Sequence, residues 1–346
     1  MKKILLILTG GTIGSEKKGN IINVSKNNSL VSFLLKNSDK KINYKIVQPI
    51  NILSENAIPE DWNNIVKCVE ENWENDFLGI IITHGTDTLS FASAALSQYF
   101  SNFNKPVVLV SSDKPLKDRK ASGRLNLKAA INFIIKIKLP GVYVPYKNPK
   151  KNFVSIFIGS RVKQINSYDN ILDTRVSGIF CNFKNNNFIF FKKKNPSKNT
   201  IKRNCNSSKL NKNLRFSNNV MIIRPYPGLN YNFYNLNKIK PKAILHELYH
   251  SGTTNTRNDK KNLSLVKFIK ENNFRNIPFF ISPISRKKKN IYASLKHLLK
   301  LNVKCLSGIT FETAYAKLTL AYESFNNEKE KILFLKKNNF FEKIDF

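Results

Sequence analysis

Short continuous runs of apolar residues alternate along the chain with longer stretches whose apolar positions repeat with the period of a helix. Three such runs lie at residues 4–8, 78–83 and 106–110. Each is bounded by Gly, Pro or polar residues, as is typical of strands buried on both faces of a parallel sheet. Between the runs, Pro59–Asn72 begins with Pro and two acidic residues, which favours a helix start. Helical spacing recurs at 90–100 and 125–135, so the pattern predicts an α/β fold with a doubly wound sheet.

The pattern changes in the second half of the chain. Residues 182–219 are rich in Asn and Lys around an aromatic island, Phe188–Phe191, and are interpreted as an edge hairpin followed by a polar linker. Alternation then resumes, with predicted strands at 220–224, 243–248 and 278–281 and helices at 263–272, 291–301 and 311–323. We therefore predict a larger N-terminal α/β domain over 1–181, a hairpin and linker over 182–219, and a smaller Rossmann-like α/β domain over 220–346.

The high net charge suggests a nucleic-acid partner, but the rest of the composition argues against one. The 346 residues include 58 basic and 23 acidic side chains, a formal charge of +35. The excess Lys is spread along the chain and accompanies abundant Asn and Ile, which share A/T-rich codons, so nucleic-acid binding is judged unlikely. Four cysteines without CxxC spacing favour reduced thiols. The first apolar run is too short for a signal-peptide core, and no run reaches the ~18–20 residues of a membrane span. A cytoplasmic protein without membrane association is expected.

Candidate chemistry lies directly after two of the apolar runs. The first run ends in Thr9–Gly14, with sequence TGGTIG, which fits neither a Walker loop nor GxGxxG. Two interpretations remain open: a glycine turn that exposes the Thr12 hydroxyl to a ligand, or a simple tight turn. The second run ends in His84–Thr88, with sequence HGTDT. Because sites in open α/β sheets form at the carboxyl ends of strands, the two loops are expected to face each other. A Thr nucleophile needs a nearby base or proton relay, and a Thr-Asp pair coupled to a Lys can supply one.

These two motifs, in this order and spacing, resemble the signatures of the bacterial-type asparaginase/glutaminase family. The segments ILSENAIPEDW (52–62) and KPVVLVSSDKPLKDRKASGRLNL (105–127) extend the resemblance toward its cytoplasmic type I branch. Near the carboxyl terminus, VMIIRPYPG and ITFETAYAKL follow the family order. The chain is therefore identified as a member of this family over most of its length, apart from 182–219.

The resemblance implies hydrolysis of the side-chain amide of L-asparagine without a metal or organic cofactor. Thr12 then matches the nucleophile that forms an acyl-enzyme, and backbone N–H groups of the glycine loops stabilise the oxyanion. Thr86 matches the second threonine, which works with a lysine as proton relay, and Lys163 is the candidate for that lysine. Asp87 matches the carboxylate that holds the substrate α-ammonium group.

The substrate-binding residues implied by the resemblance follow the same loops. Ser54 matches the residue that holds the α-carboxylate, and Glu55 follows it in the same loop. The glycines that bring the backbone to the substrate are Gly11 and Gly85, beside Thr86 and Asp87. The family forms dimers or tetramers, so a homodimer or homotetramer is expected as well.

Three departures from the family pattern make a weakened amide-binding relative an alternative. The stretch at 18–22 has no Tyr, although the family has one a few residues after its first Thr. Lys163 lies in SRVKQ, which matches the family's lysine segment only loosely. Ser111-Ser112 replaces the usual Gly-Ala or Gly-Ser after the third run.

Other classes of function compete with this interpretation. His246–His250 is a formal HExxH motif, the sequence of a zinc peptidase if it lies on a helix. Its context predicts a strand, on which the two histidines are roughly 13 Å apart and cannot share one ion. The SEN and HGTDT segments also resemble the asparaginase-like, ammonia-generating subunit of archaeal tRNA-dependent amidotransferases. A non-enzymatic RNA-binding protein would need basic patches beside aromatic residues, for which Lys192–Lys194 and Arg286–Lys289 are the candidates.

Overall fold

The chain divides into two compact units in a computed structural model, and each unit is described by itself. The first unit comprises Met1–Leu214 together with Asn339–Phe341, and the second comprises Arg215–Asn338 together with Glu342–Phe346. The structure describes residues 2–19, 21–24, 42–173, 178–272, 276–285, 291–301 and 303–344. The basic cluster Arg286–Lys289 falls outside the described residues. Within them, no helix combines the length and the apolar character needed to cross a membrane.

The first unit is built on one mixed sheet. Its strands are β1 (Lys2–Ile7), β4 (Ile42–Val47), β5 (Phe77–Thr83), β6 (Pro106–Val110), β7 (Gly141–Tyr146), β8 (Val154–Ile158), β9 (Cys181–Lys184) and β10 (Asn187–Phe190). Within the described residues their order is β10-β9-β8-β7-β6-β5-β1-β4. Pairing is parallel from β4 to β7 and antiparallel from β7 to β10. A separate antiparallel hairpin, β2 (Ser15–Lys18) with β3 (Ile21–Val24), follows β1.

The parallel strands form the buried centre of this unit. Ile4–Ile7 in β1 are fully buried, as are Val107, Leu109 and Val110 in β6, because a parallel sheet is covered on both faces. Helices connect consecutive strands: α1 (Pro59–Asn72), α2 (Leu89–Tyr99) and α3 (Gly123–Asn132), which continues into a π-helical turn at Phe133–Ile137. This architecture confirms the α/β fold class predicted from the alternation of apolar runs and helical stretches.

The Asn- and Lys-rich segment is more ordered than its composition suggests. The predicted edge hairpin is present as β9 and β10, paired from Asn187↔Lys184 to Phe190↔Cys181. Where a polar linker was expected, α4 (Lys198–Asn204) follows. Its Ile201 is fully buried and Cys205 nearly so. Two apolar residues four positions apart give this short helix one face to bury, a signal that the surrounding polar residues obscure.

The second unit contains a four-stranded parallel sheet. Its strands β11 (Val220–Ile223), β12 (Ala243–Glu247), β13 (Phe279–Ile284) and β14 (Lys304–Ser307) lie in that order. The helices are α5 (Leu265–Asn272), α6 (Ala293–Leu299), α7 (Phe311–Ser324) and α8 (Glu328–Lys336). In the core, the rings of Tyr231 and Phe268 stack 4.9 Å apart. The α/β character predicted for this half is confirmed, with β14 and α8 as additional elements.

A short segment near the carboxyl end belongs to the first unit. The Phe340 ring is fully buried and lies against Gly141, where an added Cβ would be 2.0 Å from the ring carbon Cζ. The Ser160 hydroxyl donates to the Phe340 carbonyl oxygen at 2.6 Å. Glu342, two residues after Phe340, belongs to the second unit and forms a fully buried ion pair with Lys317 there at 2.7 Å. The chain therefore supplies three late residues, Asn339–Phe341, to the first unit.

Candidate active site

Three loops follow neighbouring parallel strands at one edge of the large sheet. They are residues 8–14 after β1, 48–56 after β4 and 84–88 after β5. From β1 the chain runs to β4 on one side and then returns through α1 to β5 on the other side of β1. Ligands in open α/β sheets bind at such a reversal, outside the carboxyl ends of the strands. The position of the loops therefore fits a ligand site.

Backbone and hydroxyl hydrogen bonds join these loops at their bases. The Gly11 N–H donates to the Ile52 carbonyl at 2.8 Å, and the Ile52 N–H donates to the Thr9 carbonyl at 3.1 Å. On the other side, the Thr9 hydroxyl donates to the Thr83 carbonyl at 2.5 Å, and the Thr9 N–H donates to the Thr83 hydroxyl at 3.0 Å. Hydrogen bonds of Thr9 and Gly11 thus hold the first loop to the segment after β4 and to the end of β5.

Two glycines allow the tips of the loops to touch. Gly11 has φ 69° and ψ 177°, a combination that is essentially restricted to glycine, and a Cβ there would be 2.4 Å from the Gly85 nitrogen. A Cβ on Gly85 would be 2.3 Å from the Ser54 Oγ and 2.6 Å from the Ser54 Cβ. The residues predicted from sequence to face each other, TGGTIG and HGTDT, are therefore in direct contact, with Ser54 from the third loop beside them.

The two candidate threonine hydroxyls lie on these contacting loops. Thr12 begins a 3-10 turn, Thr12–Gly14, which is held by a hydrogen bond from the Ser15 hydroxyl to the Gly11 carbonyl at 2.8 Å. Thr12 and Thr86 are both partly buried. Neither hydroxyl makes a hydrogen bond to any residue that the structure describes. Such hydroxyls remain available to a ligand, and contacts with a catalytic base often form only once substrate is bound.

A pair of carboxyl groups stands beside the threonines. Partial burial raises the pKa of Asp87 above its usual range, and the charge of Glu55 and a side-chain hydrogen bond with it raise that pKa further. The turn that carries Glu55 is attached to the same loop, because the Thr88 hydroxyl donates to the Ser54 carbonyl at 2.8 Å. Two adjacent carboxyl groups form an environment that favours a cation, such as the α-ammonium group of an amino acid.

A fourth segment reaches the Asp87 loop from the end of β8. The Gln164 amide nitrogen donates to the Asp87 carbonyl at 2.5 Å, and its amide oxygen accepts from the Ser90 hydroxyl at 2.8 Å. A second link joins the Ser93 hydroxyl to the Gly159 carbonyl at 3.1 Å. Lys163, the lysine selected from sequence, precedes Gln164 and has an exposed side chain. Sequence reasoning missed Gln164, since a lone glutamine carries no motif.

Other polar residues near these loops have structural partners. His84 is buried, which lowers its pKa, and its Nδ1 lies 2.9 Å from the Gly85 carbonyl. His84 is therefore a buried, hydrogen-bonded residue of the loop. The Ser112 hydroxyl accepts from the Gly123 N–H at 3.0 Å, at the start of α3. Tyr44 lies in β4 opposite Ile4, so this first tyrosine of the chain belongs to the sheet.

The HExxH sequence does not form a metal site among the described residues. His246 lies on β12, fully buried, with its Nε2 2.9 Å from the Tyr231 hydroxyl. Glu247 forms an ion pair with Arg224 at 3.1 Å, whereas His250 lies beyond the strand and is exposed. No group of three or more His, Cys, Asp or Glu residues able to hold a metal occurs in the part of the chain that the structure describes. The strand predicted from sequence is confirmed for His246 and Glu247, whereas His250 follows the end of the strand.

Comparisons with known proteins find similar sequences of two kinds. The L-asparaginase of Thermococcus kodakarensis is 35% identical over 168 residues, 48% of this chain and 48% of that protein. The match thus spans about half the length of that relative. A glutamyl-tRNA(Gln) amidotransferase subunit of Methanococcus vannielii is 27% identical over 353 residues, which cover 97% of this chain and 78% of the relative.

Solved structures share the fold. The thermostable L-asparaginase of Thermococcus kodakarensis has a TM-score of 0.79 at 24% identity, covering 98% of both chains. L-asparaginase I of Vibrio cholerae O1 biovar eltor has a TM-score of 0.74 at 21% identity, covering 97% of both. The sequence profile described as "Asparaginase, N-terminal" matches residues 3–175, half of the chain, and this stretch includes every loop of the candidate site. The chain belongs to the asparaginase family.

Proposed function

We propose that this protein hydrolyses the side-chain amide of L-asparagine to aspartate and ammonia. The observation that carries the proposal is the contact between the Gly11 and Gly85 loops at the reversal of the sheet. This contact brings the Thr12 loop beside Thr86 and Asp87. The similarity to an L-asparaginase at 35% identity, over about half of the chain, supports the same substrate.

The reaction uses the residues of these loops and water. The Thr12 hydroxyl gives its proton to the relay as its oxygen attacks the amide carbon, and backbone N–H groups of the glycine loops stabilise the oxyanion that develops. The C–N bond then breaks, the nitrogen takes up a proton and ammonia leaves, with the acyl group as an ester on Thr12. Water cleaves that ester, which releases aspartate and restores the hydroxyl. Thr86 is assigned to the proton relay.

Substrate recognition is assigned to groups around the same contact. Ser54, which lies against Gly85, is assigned to hold the α-carboxylate. Asp87 holds the α-ammonium group, and Glu55 adds a second negative charge to this side of the site. Only an amino acid that carries both charged groups and a short side-chain amide uses all of these contacts.

Ammonia release tests the proposal directly. Wild-type protein and the variant Thr12→Ala are compared with L-asparagine, L-glutamine and D-asparagine as substrates. We expect ammonia from L-asparagine with the wild type and none above background with the variant. Equal rates for the two proteins would contradict a role for Thr12, and no ammonia from any of the three amides would contradict the proposal as a whole.

A second candidate is the ammonia-generating subunit of a tRNA-dependent amidotransferase. It is favoured by the matches that extend over nearly all of this chain, for example 26% identity to a glutamyl-tRNA(Gln) amidotransferase subunit of Saccharolobus solfataricus over 93% of this chain and 72% of the relative. Such a role predicts a preference for L-glutamine and binding of tRNA with a steep salt dependence. Filter binding across a salt series, with tRNA as the probe, separates the candidates: no salt-dependent retention removes the second one.

A further inference from the structure

Resting on the function proposed above, we propose that the late segment Asn339–Phe341 is a positioning element of the candidate site. It fixes the turn Gly159–Arg161 after β8 against helix α2, and it thereby sets the position of the loop that carries Thr86 and Asp87. The segment and this loop are about 250 residues apart in the sequence, and both belong to the first unit. The connection runs through hydrogen bonds and packing contacts inside that unit.

Two hydrogen bonds attach the late segment to the turn. The Ser160 hydroxyl donates to the Phe340 carbonyl at 2.6 Å, and the Arg161 Nε donates to the Phe341 carbonyl at 2.5 Å. Both donor side chains are buried, and a buried donor left without its acceptor is costly. A hydrogen bond from a guanidinium group is also among the stronger ones. The turn is therefore held in one position by backbone atoms of the late segment.

The Phe340 ring keeps these carbonyl groups in register with the turn. It is fully buried, lies against Gly141 on β7 and packs edge-on against the Tyr143 ring, with 6.2 Å between the ring centroids. The strand β7 pairs directly with β8, the strand that ends at the turn. A shift of the late segment by one residue would remove the ring from this site and break both hydrogen bonds to the turn.

The late segment is also attached to α2. The Asn339 amide nitrogen donates to the Gln98 side-chain oxygen at 2.9 Å, and both side chains are buried. Nearer the start of the helix, the Ser93 hydroxyl donates to the Gly159 carbonyl at 3.1 Å. Because Asn339 and Phe340 are adjacent residues, α2 and the turn are joined twice, once directly and once through the late segment.

The same helix and the same stretch of chain hold the candidate loop. Gln164 follows the turn by three residues, and its amide donates to the Asp87 carbonyl at 2.5 Å and accepts from the Ser90 hydroxyl at 2.8 Å. Ser90 lies in the first turn of α2, which begins directly after the loop. Movement of the turn relative to α2 therefore displaces the backbone of Thr86 and Asp87, the residues assigned to the proton relay and to the α-ammonium group.

Amide hydrogen exchange of the full chain without substrate, followed by mass spectrometry, tests this connection. The reporter is the peptide 84–92, which contains the candidate loop and the first turn of α2. Its amides include those of Leu89 and Ala92, which donate to the Thr86 and Thr88 carbonyls at 3.4 and 3.0 Å. Exchange at these amides requires local opening of the turn that follows the loop.

Three single variants are compared with the wild type. Ser160→Ala and Asn339→Ala each remove one hydrogen bond of the late segment, and a double variant combines them. Ser155→Ala is the matched control, because Ser155 is also a buried serine, on β8, and its hydroxyl donates to the Asn182 Oδ1 on β9 at 3.0 Å. Urea unfolding gives the global stability of each protein.

We expect exchange in the peptide 84–92 to be about three- to tenfold faster in Ser160→Ala and in Asn339→Ala, and unchanged in Ser155→Ala. The double variant should exceed either single variant by less than the product of their effects, because both bonds hold one segment. With L-asparagine, the two late-segment variants should lower kcat/KM by about tenfold and the control by less than about twofold.

Two results would overturn the proposal. One is faster exchange of all peptides in proportion to the loss of global stability, which indicates a merely structural role. The other is equal exchange of the peptide 84–92 in the control and in both late-segment variants. The measurement needs no turnover, so faster exchange in a protein that releases no ammonia refutes the proposed function and keeps the connection to the loop. Unchanged exchange with normal ammonia release refutes this inference alone.

Discussion

The contact between Gly85 and Ser54 offers a sharp test of how the three loops assemble. In Gly85→Ala the new methyl group would lie 2.3 Å from the Ser54 Oγ and 2.6 Å from the Ser54 Cβ. Gly85 is not among the glycines with positive φ, so the substitution adds a steric contact without backbone strain. Rotation of the Ser54 side chain moves its Oγ but not its Cβ, so rotation alone leaves part of the overlap.

The size of the effect follows from these distances. Carbon atoms in contact normally lie about 3.5–4.0 Å apart, so the loops that carry Gly85 and Ser54 must separate by about 1 Å. Overpacking of this kind lowers the free energy of unfolding by about 1–3 kcal/mol. A displacement of about 1 Å between groups that act on one substrate lowers kcat/KM by about 10²-fold.

Gly14→Ala is the matched control. Gly14 lies in the same loop system, two residues after Thr12, and a Cβ there would meet nothing within 4 Å. We expect the free energy of unfolding of this variant to lie within about 1 kcal/mol of the wild-type value. Urea unfolding and ammonia release from L-asparagine are measured for all three proteins. If Gly85→Ala unfolds and turns over like Gly14→Ala, the loops do not interlock as described.

Three further substitutions test separate parts of the molecule. Glu55→Gln removes a charge that raises the pKa of Asp87. The acidic limb of the pH profile of kcat/KM should therefore move to lower pH. An unmoved limb would contradict an interaction between Glu55 and Asp87. Burial lowers the pKa of His246 from 6.5 to about 4. As the pH falls, the unfolded state therefore takes up a proton before the folded state does. The free energy of unfolding should decrease by about 3 kcal/mol between about pH 6.5 and pH 4. His246→Gln should abolish that part of the acid sensitivity in urea unfolding followed by circular dichroism, and an unchanged pH dependence would exclude this source. Phe340→Ala leaves a cavity at a fully buried side chain and should lower the free energy of unfolding by about 3–5 kcal/mol. Phe233 is 73% exposed and serves as the control. Phe233→Ala should change the free energy of unfolding by less than about 0.5 kcal/mol.

The central part of the fold could be predicted from sequence because its signal is strong. Strands such as β1 and β6 are continuous apolar runs, and burial on both faces of a parallel sheet requires that pattern. The strand β4 was not predicted, since its sequence INYKIV mixes polar and apolar residues at the edge of the sheet. Helix α4 was hidden for a related reason, because only Ile201 and the following Cys205 mark its buried face.

The contact between the two glycine loops could be predicted from sequence because glycines limit the backbone there, whereas the segment after β8 could not be predicted as well because its side chains are free to vary. Gly11 and Gly85 must be glycine for the loops to touch, so their motifs are recognisable in the sequence. The segment after β8 has no such restriction. Lys163 and Gln164 are both exposed there, and Gln164 contacts the Asp87 loop without belonging to a recognisable motif. The roles of Thr12, Thr86, Asp87 and Lys163 in catalysis stay predictions.

The late segment Asn339–Phe341 links the completion of the first unit to the timing of synthesis. The rest of that unit ends at Leu214, so a ribosome must add more than a hundred further residues before Phe340 can reach Gly141. At roughly 5–20 residues per second, this delay is on the order of ten seconds. During that time the nascent sheet lacks the aromatic ring that lies against Gly141. The loops of the candidate site are thus translated early, but the unit that carries them is finished only after most of the second unit has been made.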